Sequence, residues 1–228
     1  MGTQGYYIDL STISLDAVKE RIATTRLSPS HEILRANIGE RFKILAQNGI
    51  ENLEQLQREL KSKSKVKSFA IETGLPLDYL TVLRREVNSY QPKPIKLGDF
   101  PGVDPGVVSN LELIGIKNTL QLFPRVLTPQ DRIELALETQ IDTADILDLT
   151  KLTDVARLKW VGPKFARLLV ESNYDTVERV ANSNFEKLYL DLVWVNESTN
   201  IYKGSLGMDD LKDWVNIIVQ DVPQVIHY

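Results

Sequence analysis

An internal repeat constrains the fold of this chain more than any other feature of its sequence. Residues 69–83 (FAIETGLPLDYLTVL) align with residues 135–149 (LALETQIDTADILDL). Further along, residues 100–116 (FPGVDPGVVSNLELIGI) align with residues 158–174 (LKWVGPKFARLLVESNY). Such a repeat indicates one supersecondary unit that buries its apolar face by stacking on its neighbours.

A third, weaker copy at 41–56 resembles residues 165–180. Each copy reads as a helix, a small or polar stop, one larger residue and a second, short helix. Asn118-Thr119 and Asp175-Thr176 supply the polar side chains that cap such a helix. The repeats divide the chain into a helical segment at 1–61, a degenerate module at 62–125, a second module at 126–192 and a tail at 193–228.

The local signals predict an all-α protein. Ser28 and Thr128 each place a hydroxyl before a proline suited to a first helical turn, and Asp131 completes a possible capping box with Thr128. The nearest candidate for a strand, LVWV at 192–195, is too short to support a sheet. Apolar residues recur at helical spacing at Leu135, Leu137, Ile146, Leu149, Leu152 and Val155.

Composition gives catalysis little support. The chain has no cysteine, and its two histidines, His31 and His227, lie near opposite ends. No serine lies in a nucleophile motif. Acidic residues three apart would lie near one helix face, yet such residues are usually solvated: Asp142, Asp145 and Asp148. We therefore predict no enzyme activity, no catalytic residue, no metal site and no cofactor, and we see no small-molecule substrate.

We predict a cytoplasmic protein without a membrane partner. Apolar runs such as residues 217–219 are far too short to cross a bilayer. The opening MGTQGYYIDL lacks a secretory pattern, and Tyr6 breaks the myristoylation pattern. The formal net charge of -4 argues against a protein whose whole surface attracts polyanions, so binding of nucleic acid requires a local patch.

The turns of the two modules carry a recognisable pattern of glycine and apolar residues. In the second turn only Trp160 departs from the pattern, replacing its first glycine, and in the first turn Asp104 replaces the second glycine. The matching residues of the second turn are Leu158, Val161, Gly162, Pro163, Lys164, Ala166 and Leu169. Those of the first are Phe100, Gly102, Val103, Pro105, Val108 and Leu111.

Both turns resemble the helix-hairpin-helix motif. The paired copies also resemble an uncharacterised bacterial family built of tandem helix-hairpin-helix modules, over about residues 30–192. The resemblance implies an all-helical fold and a role with nucleic acid. In such a hairpin, unpaired amides and the helix dipole attract a phosphate, and glycine lets it approach the backbone.

Charge favours the second hairpin as the phosphate site. The window 151–167 has a net charge of +4, whereas the aligned window 93–109 is neutral. Asp104 would moreover repel an anion at the first turn. The predicted interface comprises Arg157, Lys159, Trp160, Val161, Gly162, Pro163, Lys164 and Arg167. Trp160 either stacks on a base or packs in the core.

Two functions remain open. The first is a non-catalytic protein that binds the nucleic-acid backbone without sequence preference, with DNA favoured over RNA. The second is a helical scaffold or adaptor that binds a protein, with purely structural hairpins.

Two further segments bear on this choice. The lysine run KSKSKVK (61–67) either extends a basic track or, as we favour, is a solvated face or linker. The amphipathic tail helix at 208–222 docks either on the chain itself or on a partner. Its predicted apolar side consists of Leu211, Trp214, Ile217 and Ile218.

Overall fold

The computed structural model describes residues 5–228 and shows an all-helical protein. Residues 1–4, which begin the predicted segment 1–61 and the opening tested for a targeting signal, lie outside the described residues. Helix accounts for 66% of the described residues, and no strand forms between residues 5 and 228. The all-α prediction is confirmed, and LVWV at 192–195 lies within a helix. No helix in the described part of the chain combines the length and apolar character needed to cross a membrane.

The chain divides into two compact units. Asp9–Tyr90 forms one, and the described residues up to Ile8 form the other together with Gln91–Tyr228. The division falls inside the predicted module 62–125. Compactness and sequence repetition are different criteria, so the repeat boundaries stay a prediction.

The unit of residues 9–90 is built on five α-helices and short 3-10 turns. The α-helices are α1 (Leu15–Thr24), α2 (Ile38–Gln47), α3 (Leu53–Glu59), α4 (Lys63–Thr73) and α5 (Leu77–Ser89). Helices α4 and α5 pack against each other, and α5 also contacts α3. Each helix turns its apolar residues inward, and the core includes Leu45, Leu56, Leu80 and Leu83.

The unit of residues 91–228 contains both predicted hairpins. Its α-helices are α6 (Pro105–Leu113), α7 (Thr119–Leu122), α8 (Pro129–Thr139), α9 (Thr143–Val155), α10 (Pro163–Glu171), α11 (Val177–Ala181), α12 (Phe185–Thr199) and α13 (Met208–Asp213). Residues 214–218 continue α13 as a π-helix and Val219–Asp221 as a 3-10 turn. Helix α10 packs on α9 and α12, and α12 packs on α13.

The same turn follows α2, α6 and α10, which supports the threefold repeat. A left-handed residue ends each helix: Gly49, Gly115 and Asn173. The next amide then bonds back five residues, as when Ile116 donates to the Leu111 carbonyl at 2.9 Å and Tyr174 to the Leu169 carbonyl at 2.9 Å. A polar side chain caps the following short helix: Asn52, Asn118 and Thr176. The caps predicted at Asn118 and Thr176 are therefore confirmed.

The other predicted caps have different outcomes. Thr128 and Asp131 form the capping box at the start of α8, each side chain accepting from the other's backbone amide. Ser28 precedes a 3-10 helix, but its side chain does not cap it. That hydroxyl instead contacts Nδ1 of His31 at 2.8 Å, so the prediction of a Ser28 cap is wrong. The nearby imidazole competes with the backbone amides for the hydroxyl.

Candidate nucleic-acid interface

The second hairpin joins α9 to α10 through a strained turn. Trp160 has φ 71°, the left-handed region that costs a non-glycine residue about 1–2 kcal/mol. Its counterpart in the first hairpin, Gly102, has φ 81°. Both turns thus need the same backbone conformation, and the second adopts it with a tryptophan where glycine is the unstrained choice.

The two hairpins differ in how the first amides of the helix after the turn are capped. In the first, the Asp104 carboxylate accepts from the amides of Gly106 at 2.6 Å and Val107 at 3.3 Å. In the second, Gly162 is the cap residue of α10 and contributes no side chain, and Pro163 takes the first helical position. The first hairpin therefore closes its own anion-binding position, and the second has no such carboxylate.

The turn of the second hairpin is partly open to solvent. Lys164 is exposed, Gly162 and Pro163 are half-buried, and Val161 is buried. The Trp160 side chain is 57% exposed, which excludes it from the core. An aromatic face, a lysine side chain and the first N–H group of α10, that of Lys164, therefore lie within five consecutive residues.

Arg157 is a structural residue. It is 2% exposed and forms a buried ion pair with Asp154. Its Nη1 donates to the carbonyl oxygens of Gly5 and Pro223, both at 2.9 Å. No face of this guanidinium is available to a ligand, so its assignment to the interface is corrected.

Arg167 is also structural, and it connects the two hairpins. Its Nη1 and Nη2 donate to the two carboxylate oxygens of Asp148 at 2.7 Å each, and its Nε donates to the Pro101 carbonyl at 2.8 Å. Burial lowers the pKa of Arg167, but Asp148 and Glu171 outweigh this effect, so the pKa lies above its ordinary value. The group stays charged and engaged, and its predicted contact with phosphate is corrected.

Lys159 is buried, with 3% of its surface exposed. Its Nζ lies 4.5 Å from the centre of the Trp160 ring, a cation–π contact. Its backbone carbonyl accepts from Nε1 of Trp214 at 2.9 Å. The Lys159 side chain therefore packs against the Trp160 ring. It is too buried to contact a phosphate, so its predicted role in the interface is corrected.

The positive charge predicted for the hairpin is largely neutralised. Lys151 pairs with Asp175 at 2.7 Å, and Asp148 and Glu171 pair with Arg167. These three acids lie outside the window 151–167, whose own residues sum to +4. That sum therefore does not describe the surface, and among the predicted bases Lys164 is the exposed one.

The tail packs on its own chain, which decides between the two predicted alternatives. Trp214 is buried, donates to the Lys159 carbonyl and lies 5.7 Å from the Phe165 ring. Beyond it, the Tyr228 hydroxyl donates to Asp154 at 3.2 Å. Burial raises the pKa of Tyr228, and the negative charge of Asp154 raises it further, so this hydroxyl keeps its proton.

A cavity of about 730 Å³ lies among α8, α9, α11 and Tyr228. Most of its charged residues have partners: Lys151 and Arg179 both contact Asp175, and the Arg132 guanidinium lies 5.4 Å from the centre of the Tyr228 ring. No group of three or more metal-ligating side chains converges in residues 5–228. We therefore assign no binding or catalytic site to this cavity.

The fold defines the class: an all-helical protein in the part of the chain that the structure describes. A family model described as a domain of unknown function (DUF4332) matches residues 101–217. The chain belongs to this family. The matched region contains both hairpins and most of the docked tail helix. Comparison with curated proteins finds no match, and neither does comparison with solved structures.

Proposed function

We propose that this chain is a non-catalytic protein of tandem helix-hairpin-helix modules that binds the nucleic-acid backbone without sequence preference through its second hairpin. Trp160, Gly162, Pro163 and Lys164 form the contact. The carrying observation is the exposed Trp160 ring, held in a strained backbone conformation beside Lys164 and the start of α10. DNA is the favoured ligand, and the cytoplasm is the proposed compartment.

A contact made of one exposed aromatic ring and one lysine suits single-stranded nucleic acid better than a duplex. A base in a single strand can be splayed onto an aromatic face, and this stacking contributes about 1–3 kcal/mol per base. Helix amides bind phosphates by donating hydrogen bonds and lysine binds them by its charge, and neither contact reads the bases. Three of the predicted basic side chains are buried, so we expect weak affinity for nucleic acid. The affinity should fall only slowly with salt concentration, as it does when a protein contacts about one phosphate.

Charge reversal at Lys164 is the first test. In an anisotropy titration with short labelled single-stranded DNA, Lys164→Glu is expected to weaken binding about fivefold to tenfold, because one phosphate contact becomes repulsive. Lys117→Glu is the matched control, since Lys117 is an exposed lysine of the same unit. The same titration with duplex DNA and with RNA, each at about 50 and 200 mM salt, shows which class of nucleic acid the protein prefers. Equal affinities of the Lys164 and Lys117 variants would exclude the hairpin as the site.

Trp160→Gly separates binding from folding in the same titration. Glycine adopts φ 71° without strain, so the variant is expected to melt at the wild-type temperature or a few degrees higher, about 2–4 °C for each kcal/mol of strain relieved. Binding of single strands is nevertheless expected to weaken at least about fivefold, because the stacking face is lost. Unchanged binding would show that Trp160 is not part of the contact.

A second candidate, a scaffold that binds a protein, has its own supporting observation. Leu190 and Trp194 lie four residues apart on α12 and are 61% and 73% exposed. Exposed apolar pairs of this kind are typical of docking surfaces. If this function holds, a protein captured from nuclease-treated lysate will be lost on Leu190→Glu with Trp194→Glu and kept on Lys164→Glu. Capture that depends on nucleic acid would count against the scaffold.

A further inference from the structure

The unit of residues 9–90 contains a basic groove that the second hairpin does not explain. A cavity of about 300 Å³ lies between α4 and α5. Four cations line it: Lys63, Lys67, Arg84 and Arg85. We call this the α4–α5 groove. No acidic side chain lines it.

Helix formation sorts the lysine run into two faces. The run KSKSKVK is no linker, because its residues from Lys63 onward form the start of α4, which Ser62 caps by accepting from the Lys65 amide. Lys63 and Lys67 are one turn apart and face α5, whereas Lys65 points elsewhere, 3.8 Å from Glu59. Two of the four lysines of the run therefore line the same groove as two arginines of α5.

The cations of the groove have no carboxylate partners. Among residues 5–228, no ion pair involves Lys63, Lys67, Arg84 or Arg85. Arg84 is fixed in place because its Nη2 donates to the Lys61 carbonyl at 3.2 Å, yet its Nε is buried without an acceptor. Arg157 and Arg167, by contrast, each pair with a carboxylate of the fold. An anion that enters the groove would therefore meet four cations and no competing carboxylate.

The positive charge of the chain is concentrated around this groove. Residues 9–90 contain thirteen lysines and arginines against eleven acids, whereas the rest of the sequence contains fourteen against twenty. Between residues 58 and 85 there are seven bases and three acids. A polyanion approaching the protein is attracted to this segment and repelled by the acidic remainder.

We infer that the α4–α5 groove binds successive phosphates of a nucleic-acid strand. Cations from two helices face one groove, which suits a chain of charges better than a single ion. The other lining residues are Val66, Leu77 and Thr81, so the groove offers no aromatic face for a base. A membrane fits less well, because α4 turns Val66 and Phe69 into the core and keeps no continuous apolar face to insert. The inference does not rest on the second hairpin, which lies in the other unit.

The test is an anisotropy titration of the full chain with short labelled single-stranded DNA. Lys63→Glu with Lys67→Glu is expected to weaken binding roughly tenfold or more at about 50 mM salt and to make the salt dependence shallower by about two contacts. The matched control, Lys19→Glu with Lys43→Glu, makes the same change of charge in the same unit and is expected to alter affinity less than about threefold. Equal loss in both variants would overturn the groove as a site.

Three further measurements distinguish phosphate binding in the groove from misfolding, from binding at the hairpin and from binding to lipid. Lys63→Gln with Lys67→Gln, checked by circular dichroism, should also weaken binding, and wild-type affinity of that folded variant would overturn the inference. Loss of DNA binding in the groove variants but not in Lys164→Glu would support the groove and reject the hairpin. Loss in Lys164→Glu but not in the groove variants would support the hairpin and reject the groove. Vesicles of acidic phospholipid are the competing ligand: groove-dependent binding to vesicles without binding to DNA would overturn the assignment to nucleic acid.

Discussion

Replacing Asp154 by alanine is expected to lower the free energy of unfolding by about 3–5 kcal/mol, because the change leaves a buried charge uncompensated. Asp154 is 2% exposed and is the carboxylate partner of Arg157, which is itself buried. It also accepts from the Val177 amide at 3.0 Å, at the start of α11. Its removal leaves a buried guanidinium without a counter-charge and a helix start without its acceptor.

Thermal unfolding followed by circular dichroism measures this effect. At roughly 2–4 °C per kcal/mol, the midpoint is expected to fall by about 6–20 °C. Glu138→Ala is the control, because Glu138 pairs with Arg125 on the surface, where removing a pair costs about 1 kcal/mol or less. If the two variants melt together, the Asp154–Arg157 pair does not organise this unit.

Replacing Trp214 by alanine is expected to lower the free energy of unfolding by about 3–5 kcal/mol, because a large buried side chain is removed. Trp214→Phe keeps most of the apolar contact but leaves the Lys159 carbonyl without its donor, so a smaller loss of about 1–3 kcal/mol is expected. The chain offers a matched control in Trp194→Ala, since Trp194 is exposed and its removal should change stability by about 0.5 kcal/mol or less.

Urea unfolding followed by circular dichroism compares the three variants. A Trp214→Ala protein as stable as the Trp194→Ala protein would mean that the tail is only loosely held. The outcome also bears on the proposed hairpin, because Trp214 bonds the residue that precedes Trp160. Loosening the tail is therefore expected to mobilise the Trp160 ring as well.

Much of the architecture is predictable from local chemistry. Helix spacing, the Thr128–Asp131 box and the caps at Asn118 and Thr176 depend on residues a few positions apart, so their pattern is visible in the chain. The tail helix departs from its ordinary period, because Ile217, predicted on its apolar side, is half-buried, whereas Val215 and Val219 are buried. The π-helix at 214–218 widens the turn and shifts the buried face.

The candidate site is less predictable because charge is neutralised across space. The partners of Arg167 and Lys151 lie at positions 148, 171 and 175, beyond a window drawn around the turn. The pairs Asp154–Arg157 and Arg167–Glu171 do have the three- and four-residue spacing of helix neighbours, so that signal is present in the sequence. The groove has no comparable signal, because Arg84 and Arg85 meet the lysines only once α4 and α5 have folded together.

One guanidinium joins distant parts of the chain, and this has a consequence for biosynthesis. Arg157 holds the carbonyls of Gly5 and Pro223, so the second compact unit needs residues from both early and late in translation. Asp9–Tyr90, by contrast, is continuous and is complete before the ribosome reaches the second hairpin. We therefore expect the continuous unit Asp9–Tyr90 to fold first, and the other unit to close only after Pro223 has been synthesised.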